Sequence, residues 1–460
     1  MHKTDLLDHP DLKTVWDALE SNAPVIEWTE ITRPAPGPAP HRSFRPLRRA
    51  VALLAVVALV LFTGSESAGV LAARRALAAQ SAVLNEPIEL KVDTVEMPEP
   101  WAEDQLRDLT VGDFGIFAHT GTAAGSGEQW QLAREGWVGL GLDASLIATG
   151  EIFGEHRYVA GRVNAGEPGD SAVVWRSDVG PGDWESTFAV SGGHIASLVG
   201  INGQLVAVGY EDYEKARAWV STDGTSWNVA DFEDADRAVV NSGTSDGSAG
   251  VFVGYQDGSF PLIERHMASI WRTDIAGSIE RVSMPDLGSL GFGYSIGGFR
   301  LSDGIEGVVR NEQGFIAYTG FLQVWDGFQG PTLEPREAWA SLVLLSADGI
   351  DWSAQVLTDF AIYQVVPFGD GLLAAAALPP ESDTEMINVD GVTTEVASAV
   401  TNRLYYSDDG LTWREVANSP QFGKPLLAVN ASGDVIAVDE FAAEDRAIDT
   451  TTVYVVSRGG

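Results

Sequence analysis

Cysteine is absent from this chain of 460 residues. Its absence excludes disulfide bridges, zinc-thiolate centres and thiol nucleophiles, but it does not select a cellular compartment. Basic residues are also scarce: 29 Lys and Arg stand against 65 Asp and Glu, which gives a formal net charge of −36 at pH 7. A surface of this sign repels phosphate backbones and anionic lipid headgroups, so nucleic acid is not an expected partner.

Long helical segments rich in Lys and Glu are lacking as well, whereas glycine and tryptophan are plentiful. The chain has 50 Gly and 14 Trp, and 45% of its residues are hydrophobic. This hydrophobic content is sufficient for a large buried core and argues against global disorder. Together with the many glycine-marked turns, it favours a mainly β protein.

One strongly apolar segment stands out near the N-terminus. Residues 50–62 read AVALLAVVALVLF, with HRSFRPLRR before them and TGSESAG after them. Arg48 and Arg49 can reach the lipid headgroups, which extends the run to an uncleaved transmembrane signal anchor over residues 47–64. The basic flank predicts a cytoplasmic N-terminus and an extracytoplasmic C-terminal part of the chain. A cleaved signal peptide, which also exports residues 85–460, and a buried core helix are the alternatives.

The sequence on either side of this anchor predicts short, simple regions. Residues 1–46 form a cytoplasmic tail with one amphipathic helix over residues 10–22, followed by the Pro-rich linker TRPAPGPAPHRSFRP. Residues 65–84 are rich in alanine and predict a short helical stalk. The lipid bilayer is therefore an expected partner through a single helix.

The pattern Ser-x-Asp-Gly-x-x-Trp occurs three times at uneven intervals. Its fixed positions are Ser221, Asp223, Gly224, Trp227, Ser346, Asp348, Gly349, Trp352, Ser407, Asp409, Gly410 and Trp413. Two apolar strands precede each copy, a third strand enters it, and a fourth strand follows the Trp. Each unit therefore predicts a four-stranded antiparallel meander.

Weaker copies of this unit cover residues 113–140, 158–188 and 250–282, and the C-terminus supplies three further strands. Small sheets expose both faces, so packing them radially buries those faces and predicts a β-propeller over residues 85–460. The segment PIELKVDTVEM at 87–97 is predicted to supply the missing fourth strand of the last unit, with a phase shift at residues 94 and 95. Seven blades are expected, with six as the alternative.

The residue types of the motif indicate a structural role. Asp-Gly makes a tight turn between the third and fourth strands, with Gly at positive φ, and the Asp and Ser side chains bond backbone groups of that turn. The Trp opens the fourth strand and packs between blades. The motif resembles the Asp-box, or BNR repeat, of sialidase-like propellers, although the spacing between Asp and Gly is one residue shorter. The resemblance implies a propeller fold with these turns away from any active site.

Catalytic chemistry is not indicated by any residue pattern. A sialidase-like enzyme requires three arginines and a Tyr/Glu pair, which no motif identifies here. The sequence GTSDG at 243–247 predicts a turn, since a nucleophile elbow needs a following helix. The acidic segment 231–237 is interpreted as a solvated loop in preference to a calcium site. We therefore assign no catalytic, metal-binding or cofactor-binding residue, including the isolated histidines His119, His156, His194 and His266.

These observations predict a membrane-anchored extracytoplasmic propeller that binds an envelope saccharide or a protein partner, with no evident catalysis. One alternative is a transmembrane sensor, similar to anti-sigma proteins, whose helix at residues 10–22 holds a cytoplasmic regulator. A sialidase-like glycoside hydrolase is the second alternative. Insertions at 324–339 and 379–401, between second and third strands, are candidate specificity loops.

Overall fold

The computed structural model describes the chain from residue 83 onward, with gaps. The described residues are 83–98, 106–112, 115–121, 127–133, 136–142, 144–164, 169–178, 183–212, 215–257, 266–273, 278–290, 299–301, 304–324, 336–379, 384–389, 392–397, 402–423, 425–430, 432–439 and 450–458. The chain divides into two compact units, Met1–Thr63 and Gly64–Gly460, and the described residues belong to the second. The predicted tail, anchor and stalk up to residue 82 therefore lie outside the described residues. Within the described ranges, no helix has the length and hydropathy required to cross a membrane.

Most of the described residues lie in β-strands that form four-stranded antiparallel meanders. Two strands come first, β1 (Val83–Ile88) and β2 (Lys91–Pro98). The first meander contains β3 (Leu106–Gly112), β4 (Gly115–Gly121), β5 (Gly127–Ala133) and β6 (Gly136–Gly139). The second contains β7 (Leu146–Phe153), β8 (His156–Val163), β9 (Ser171–Asp178) and β10 (Glu185–Ser191). The third contains β11 (Gly193–Ile201), β12 (Gln204–Glu211), β13 (Lys215–Ser221) and β14 (Trp227–Asp236).

The later meanders carry insertions between their strands. The fourth contains β15 (Ala238–Ser245), β16 (Gly250–Asp257), β17 (His266–Thr273) and β18 (Ser278–Arg281). A 3-10 helix (Leu287–Leu290) and β19 (Phe299–Leu301) follow. The fifth meander contains β20 (Gly307–Asn311), β21 (Gly314–Tyr318), β24 (Ala340–Ser346) and β25 (Ser353–Thr358), with β22 (Leu322–Val324) and β23 (Arg336–Ala338) inserted.

The last two meanders complete the described fold. The sixth contains β26 (Ala361–Phe368), β27 (Gly371–Ala377), β30 (Asn402–Ser407) and β31 (Trp413–Val416), with the hairpin β28 (Thr384–Val389) and β29 (Val392–Ala397) inserted. The seventh contains β32 (Pro425–Val429), β33 (Val435–Asp439), β34 (Thr450–Ser457) and, as its fourth strand, β2. The third and fourth meanders are joined into one eight-stranded sheet by a parallel contact between β14 and β18.

The central strands of the meanders are apolar because both of their faces are covered. All residues of β27, which reads GLLAAAA, are buried, and β12 has a continuous buried run from Leu205 to Gly209. A strand with one wet face would alternate between apolar and polar residues. These uninterrupted apolar runs therefore reflect packing of each meander between two neighbours.

Successive meanders pack against one another in a propeller-like arrangement. The first strand of each meander contacts that of the next, in the order β3, β7, β11, β15, β20, β26 and β32, and β32 also contacts β3. The hydrophobic clusters each draw on two successive meanders. One of them joins Ala428 and Val453 of the seventh meander to Leu109 and Ile116 of the first. The mainly β, propeller-like fold predicted from the repeats is confirmed.

The N-terminal strands differ in detail from the prediction. Strand β2 pairs antiparallel with β34, which confirms that an N-terminal segment completes the last meander. The register of this pairing has no bulge, so the predicted phase shift is wrong. Both faces of β2 are covered, because Val92 packs toward the sixth meander and Met97 packs toward the first. Val83 and Leu84, predicted to end the helical stalk, instead begin β1, which adds in parallel to β31.

The two predicted specificity loops contain strands of their own. Strands β22 and β23 form a small sheet with β19, and β28 pairs with β29 as a separate hairpin. Both insertions lie between the second and third strands of a meander, as the sequence predicted. In the hairpin, Ile387, Val389 and Val392 supply β propensity that the loop prediction overlooked.

Candidate binding face

Each meander has two ends with different connections. We call the end at which first strands begin and second strands end the entry face; the insertions of the fifth and sixth meanders leave from it. The opposite end, which we call the turn face, carries the tight turns between first and second strands and between third and fourth strands. Antiparallel connectivity places these features at the same end in every meander.

The motif residues form hydrogen-bonded turns at the turn face. In the third meander, the Oδ1 of Asp223 accepts hydrogen bonds from the backbone N–H of Thr225 at 2.8 Å and of Ser226 at 2.7 Å. The hydroxyl of Ser221 donates to the same oxygen at 3.0 Å. The amide hydrogen bonds of Ser226 and Thr225 hold the pKa of Asp223 well below its usual range. The carboxylate therefore stays ionised while it closes the turn.

The other two copies repeat this arrangement. Asp348 and Asp409 each accept two hydrogen bonds from backbone amides, at 2.7–3.1 Å. The hydroxyl of Ser346 donates to Asp348 at 3.1 Å, and that of Ser407 donates to Asp409 at 3.1 Å. The pKa of Asp348 is lowered chiefly by the amide of Ile350. Burial raises the pKa of Asp409, but hydrogen bonds outweigh it and the net shift is downward. The turn is therefore the same local structure in three places.

The motif glycines pack against the preceding meander. Their φ angles are 70°, 76° and 76°, in the left-handed region predicted for them. A Cβ at each position would approach the same site on the second strand of the neighbour: 1.9 Å from the Tyr158 hydroxyl at Gly224, 2.7 Å from Val251 at Gly349, and 3.4 Å from Ile316 at Gly410. Contact therefore adds to backbone conformation as a reason for glycine at Gly224 and Gly349, whereas at Gly410 the distance is an ordinary van der Waals contact and the positive φ is the reason.

The motif tryptophans lie in the interfaces between meanders, as expected. Trp413 is fully buried, with its ring 5.7 Å from that of Phe360, in the cluster shared by the fifth and sixth meanders. Trp352 is buried between the fourth and fifth meanders, and its Nε1 donates to the carbonyl of Gly349 at 3.1 Å. Trp227 is half-buried beside Phe188 at 5.3 Å. Trp227 and Trp413 open their fourth strands, whereas Trp352 precedes its strand by one residue.

The three motif copies lie on separate turns and do not converge on one site. The residues singled out from the sequence therefore hold meanders together at the turn face. Residues that could bind a partner have to be sought at the entry face, where the side chains differ from one meander to the next.

A polar cluster lies at the entry face of the second and third meanders. The guanidinium of Arg162 pairs with both carboxylate oxygens of Asp170, with Nε to Oδ1 at 3.1 Å, and both side chains are largely buried. The ring of His194 stacks on that of Tyr210 at 4.8 Å. Burial first, and the charge of Arg162 second, lower the pKa of His194 to about 4. The imidazole is therefore neutral at pH 7.

Three arginines near this face are paired within their own meanders. Arg217 pairs with Glu211 at 2.9 Å and with Asp231, and Arg403 pairs with Glu415. Like Arg162, they are fixed by local carboxylates. Among the described residues, these arginines stabilise separate sheets and do not point to one carboxylate-binding centre.

An aromatic cluster lies at the entry face of the fifth and sixth meanders. The ring of Phe321 is 5.2 Å from that of Trp339 and 5.3 Å from that of Tyr363, with interplanar angles of 70° and 82°. All three side chains are partly exposed. Edge-to-face contacts of this kind stabilise the rings in a compact group.

Three different elements position these rings. Phe321 directly precedes β22 and Trp339 directly follows β23, so the inserted sheet brings the two residues together. Tyr363 occupies a β-bulge in β26, between Ile362 and Gln364. A bulge leaves one residue out of the regular pairing and changes the direction of its side chain. The bulge therefore orients Tyr363 toward the insertion.

The first strands of four other meanders have a bulge near the same end, in β3, β7, β11 and β15. Repetition of the bulge gives the entry face a common backbone, whereas the residues on it differ. Sequence analysis missed the aromatic cluster because its members share no motif; the only signal was that Phe321 and Trp339 flank the insertion.

The remaining candidates from the sequence lie apart from this cluster. The sequence GTSDG at 243–247, predicted to be a turn, begins in a strand: its first three residues end β15, and only Asp246 and Gly247 lie in the tight turn into β16. The acidic segment 231–237 lies in β14 and its turn into β15, which corrects its interpretation as a loop. The histidines are on different meanders, and no group of three metal-ligating side chains occurs among the residues that the structure describes.

Comparisons with known proteins give weak likenesses only. No protein-family model matches the sequence, and no curated protein matches it. Among solved structures, YCF48 bound to D1 peptide is similar at 11% identity and a TM-score of 0.43, over 82% of this chain and 98% of that one. A chain from an S. cerevisiae complex of dbp5 bound to nup159, gle1, ip6 and adp is similar at 11% identity and a TM-score of 0.41, over 81% and 98%. The propeller-like fold is assigned from the meanders and their contacts.

Proposed function

We propose that this chain is a membrane-anchored, extracytoplasmic binding module whose propeller holds a protein partner on its entry face. The observation that carries the proposal is the partly exposed cluster of Phe321, Trp339 and Tyr363. Protein interfaces are enriched in Trp, Tyr and Phe, and a few such residues provide most of the binding free energy. The motif tryptophans at the turn face, by contrast, pack between meanders within the fold.

The aromatic geometry favours a protein over a saccharide. A sugar ring stacks on a flat, open aromatic face, whereas the rings of Trp339 and Tyr363 meet Phe321 edge-on and leave a compact apolar surface. Such a surface suits an apolar side chain of a protein partner. The inserted sheet of β19, β22 and β23 stands beside the cluster and extends the contact area.

The propeller is proposed to have seven blades, one for each meander. The cyclic order of contacts between first strands supports this number, because the seventh meander contacts the first through β32 and β3. The hydrophobic cluster shared by these two meanders supports it independently. Pairing of β2 with β34 gives the seventh meander its fourth strand, so that it matches the other meanders.

The membrane anchor is proposed from the sequence, over residues 47–64, with the N-terminus in the cytoplasm. The full chain should remain with membranes after alkaline carbonate extraction, and a variant lacking residues 47–64 should not. Retention of that variant would contradict the anchor. Deletion of residues 2–40 should leave partner binding unchanged, whereas a sensor that signals through its tail would lose its output.

Binding is tested by affinity purification of the full chain from detergent-solubilised envelopes, with quantitative mass spectrometry. The double variant Trp339→Ala, Tyr363→Ala should reduce recovery of a specific partner at least tenfold, since both substitutions remove buried contact area. Ile350→Ala is the matched control, because Ile350 is an exposed apolar residue at the turn face.

Three outcomes would contradict the proposal. Equal loss of the partner in Ile350→Ala would move the site away from the entry face. Recovery of no specific partner would remove the binding function. Saccharide binding on a glycan array that the double variant abolishes would assign the same cluster to a sugar.

A further inference from the structure

A cavity of about 420 Å³ lies at the turn face beside the fifth meander. Asn311 and Gln313 line it from the turn between β20 and β21, and Asp351 and Trp352 line it from the motif turn of the same meander. Asp409 lines it from the motif turn of the sixth meander. The cavity therefore lies at the junction between two successive motif copies, away from the entry face.

At one equivalent junction an arginine of the chain itself occupies this position. Between the fourth and fifth meanders, the Nε of Arg272 donates to the carbonyl of Asp348 at 3.2 Å. Between the second and third meanders, the corresponding residue is Arg176, which pairs with Glu185 of its own meander, and Tyr158 packs against the motif turn at Gly224. Arg272 and Arg176 each directly precede the first position of a weaker motif copy.

The residue at the corresponding position beside the cavity is Leu345, which precedes Ser346 and has no charged group. A third arginine lies at the turn face of the next junction, where Arg458 donates to the carbonyl of Phe368 at 3.2 Å and lies over its ring at 5.7 Å. The open junction therefore lacks the guanidinium that Arg272 and Arg458 supply at theirs.

We propose that this cavity receives an arginine side chain of a partner polypeptide, in the place that Arg272 fills at its own junction. Of the described residues that line it, Asp351 and Asp409 are acidic and none is basic. A guanidinium pairs with carboxylates, stacks on aromatic rings such as that of Trp352, and is more weakly hydrated than an ammonium group.

An unpartnered buried amide gives a second reason for a polypeptide. Asn311 is 6% exposed, and its Oδ1 accepts a hydrogen bond from the N–H of Gln313 at 2.9 Å, whereas its Nδ2 has no hydrogen-bond partner. A buried donor without an acceptor raises the free energy of the folded state. A backbone carbonyl of the partner, next to its arginine, would accept a hydrogen bond from the Nδ2 of Asn311. A bare metal cation offers no such acceptor.

The test uses the full chain in detergent micelles and the peptide acetyl-Gly-Arg-Gly-amide, with binding measured by isothermal titration calorimetry. Saturable binding with one site per chain is expected, and it should weaken with added salt. The peptide with citrulline in place of arginine has nearly the same shape but no charge, and it should bind at least tenfold more weakly.

Substitutions at the junction sharpen the test. Leu345→Arg should fill the cavity and abolish binding, and Asp351→Asn should weaken it several-fold without changing packing. Val220→Arg is the matched control, since Val220 occupies the corresponding position before Ser221 in the third meander. Arg272→Ala should open a second cavity, between the fourth and fifth meanders, so that each chain binds two peptides.

The proposal fails if the native chain does not bind the peptide, if citrulline binds equally well, or if Leu345→Arg and Val220→Arg have the same effect. Tyr363→Ala should leave peptide binding unchanged. Failure here would therefore leave the entry-face function untouched.

Discussion

The turn face and the entry face differ in how much the meanders repeat one another. At the turn face the same carboxylate, glycine and indole recur in three meanders with nearly the same hydrogen bonds. At the entry face the backbone bulge recurs, but the side chains on it do not. Repeated side chains solve a packing problem that is common to all meanders, whereas a binding surface needs only one copy. The unlike residues are therefore the better guide to function.

The largest effect on the free energy of unfolding is expected at Trp413, at the turn face. Replacing this fully buried indole by alanine should lower the free energy of unfolding by about 3–5 kcal/mol, because it leaves a cavity between the fifth and sixth meanders. The measurement is chemical denaturation of the full chain followed by fluorescence. Tyr363→Ala, at the entry face, should cost only about 1 kcal/mol because that ring is partly exposed. Equal costs would remove the distinction between the two faces.

The second-largest effect on the free energy of unfolding is expected at Gly224. Alanine there combines a positive φ with a contact 1.9 Å from the Tyr158 hydroxyl, and should cost about 2–3 kcal/mol. Gly154→Ala is the control for conformation alone, since its φ is 65° and a Cβ there has nothing within 4 Å. We expect about 1 kcal/mol for the control. If the two variants unfold at the same denaturant concentration, contact with the preceding meander contributes nothing.

The smallest effect is expected at the motif carboxylate. Asp409→Ala removes the acceptor of two amide hydrogen bonds and should cost about 1–2 kcal/mol at pH 7. Because folding lowers the pKa of Asp409, the carboxylate stabilises the fold above the pKa of the unfolded chain. This contribution disappears as the pH falls through that value toward the folded pKa. The cost of Asp409→Ala should therefore shrink between pH 6 and pH 3, and a constant cost would contradict the turn assignment.

The sequence predicts the fold well where the physics is local. The Asp-Gly turn, the positive φ of Gly410 and the burial of Trp413 all follow from residue types over a few positions. Pairing of β2 with β34 also follows, because the last unit was one strand short. The hydrogen bonds of the three turns are those that the residue types predict, whereas the resemblance to Asp-box repeats stays a prediction.

The entry face could not be predicted because its contacts are not local. Phe321, Trp339 and Tyr363 meet only once the inserted strands and the bulge in β26 are formed. The addition of β1 to β31 was missed for a similar reason: a parallel pair has no turn to reveal it in sequence. The cavity beside Leu345 becomes visible only when the junctions are compared in three dimensions.

The side-chain contact between Glu96 and Thr452 spans 356 positions of the chain, and the pairing of β2 with β34 that brings it about has a consequence for biogenesis. Synthesis delivers β2 long before its partner β34, so the earlier strand has to wait, unpaired, until β34 has emerged. Formation of this pairing is thereby deferred until the strand Thr450–Ser457 has been synthesised. Any product that terminates before Thr450 is left with an exposed strand edge, which marks it for aggregation or degradation.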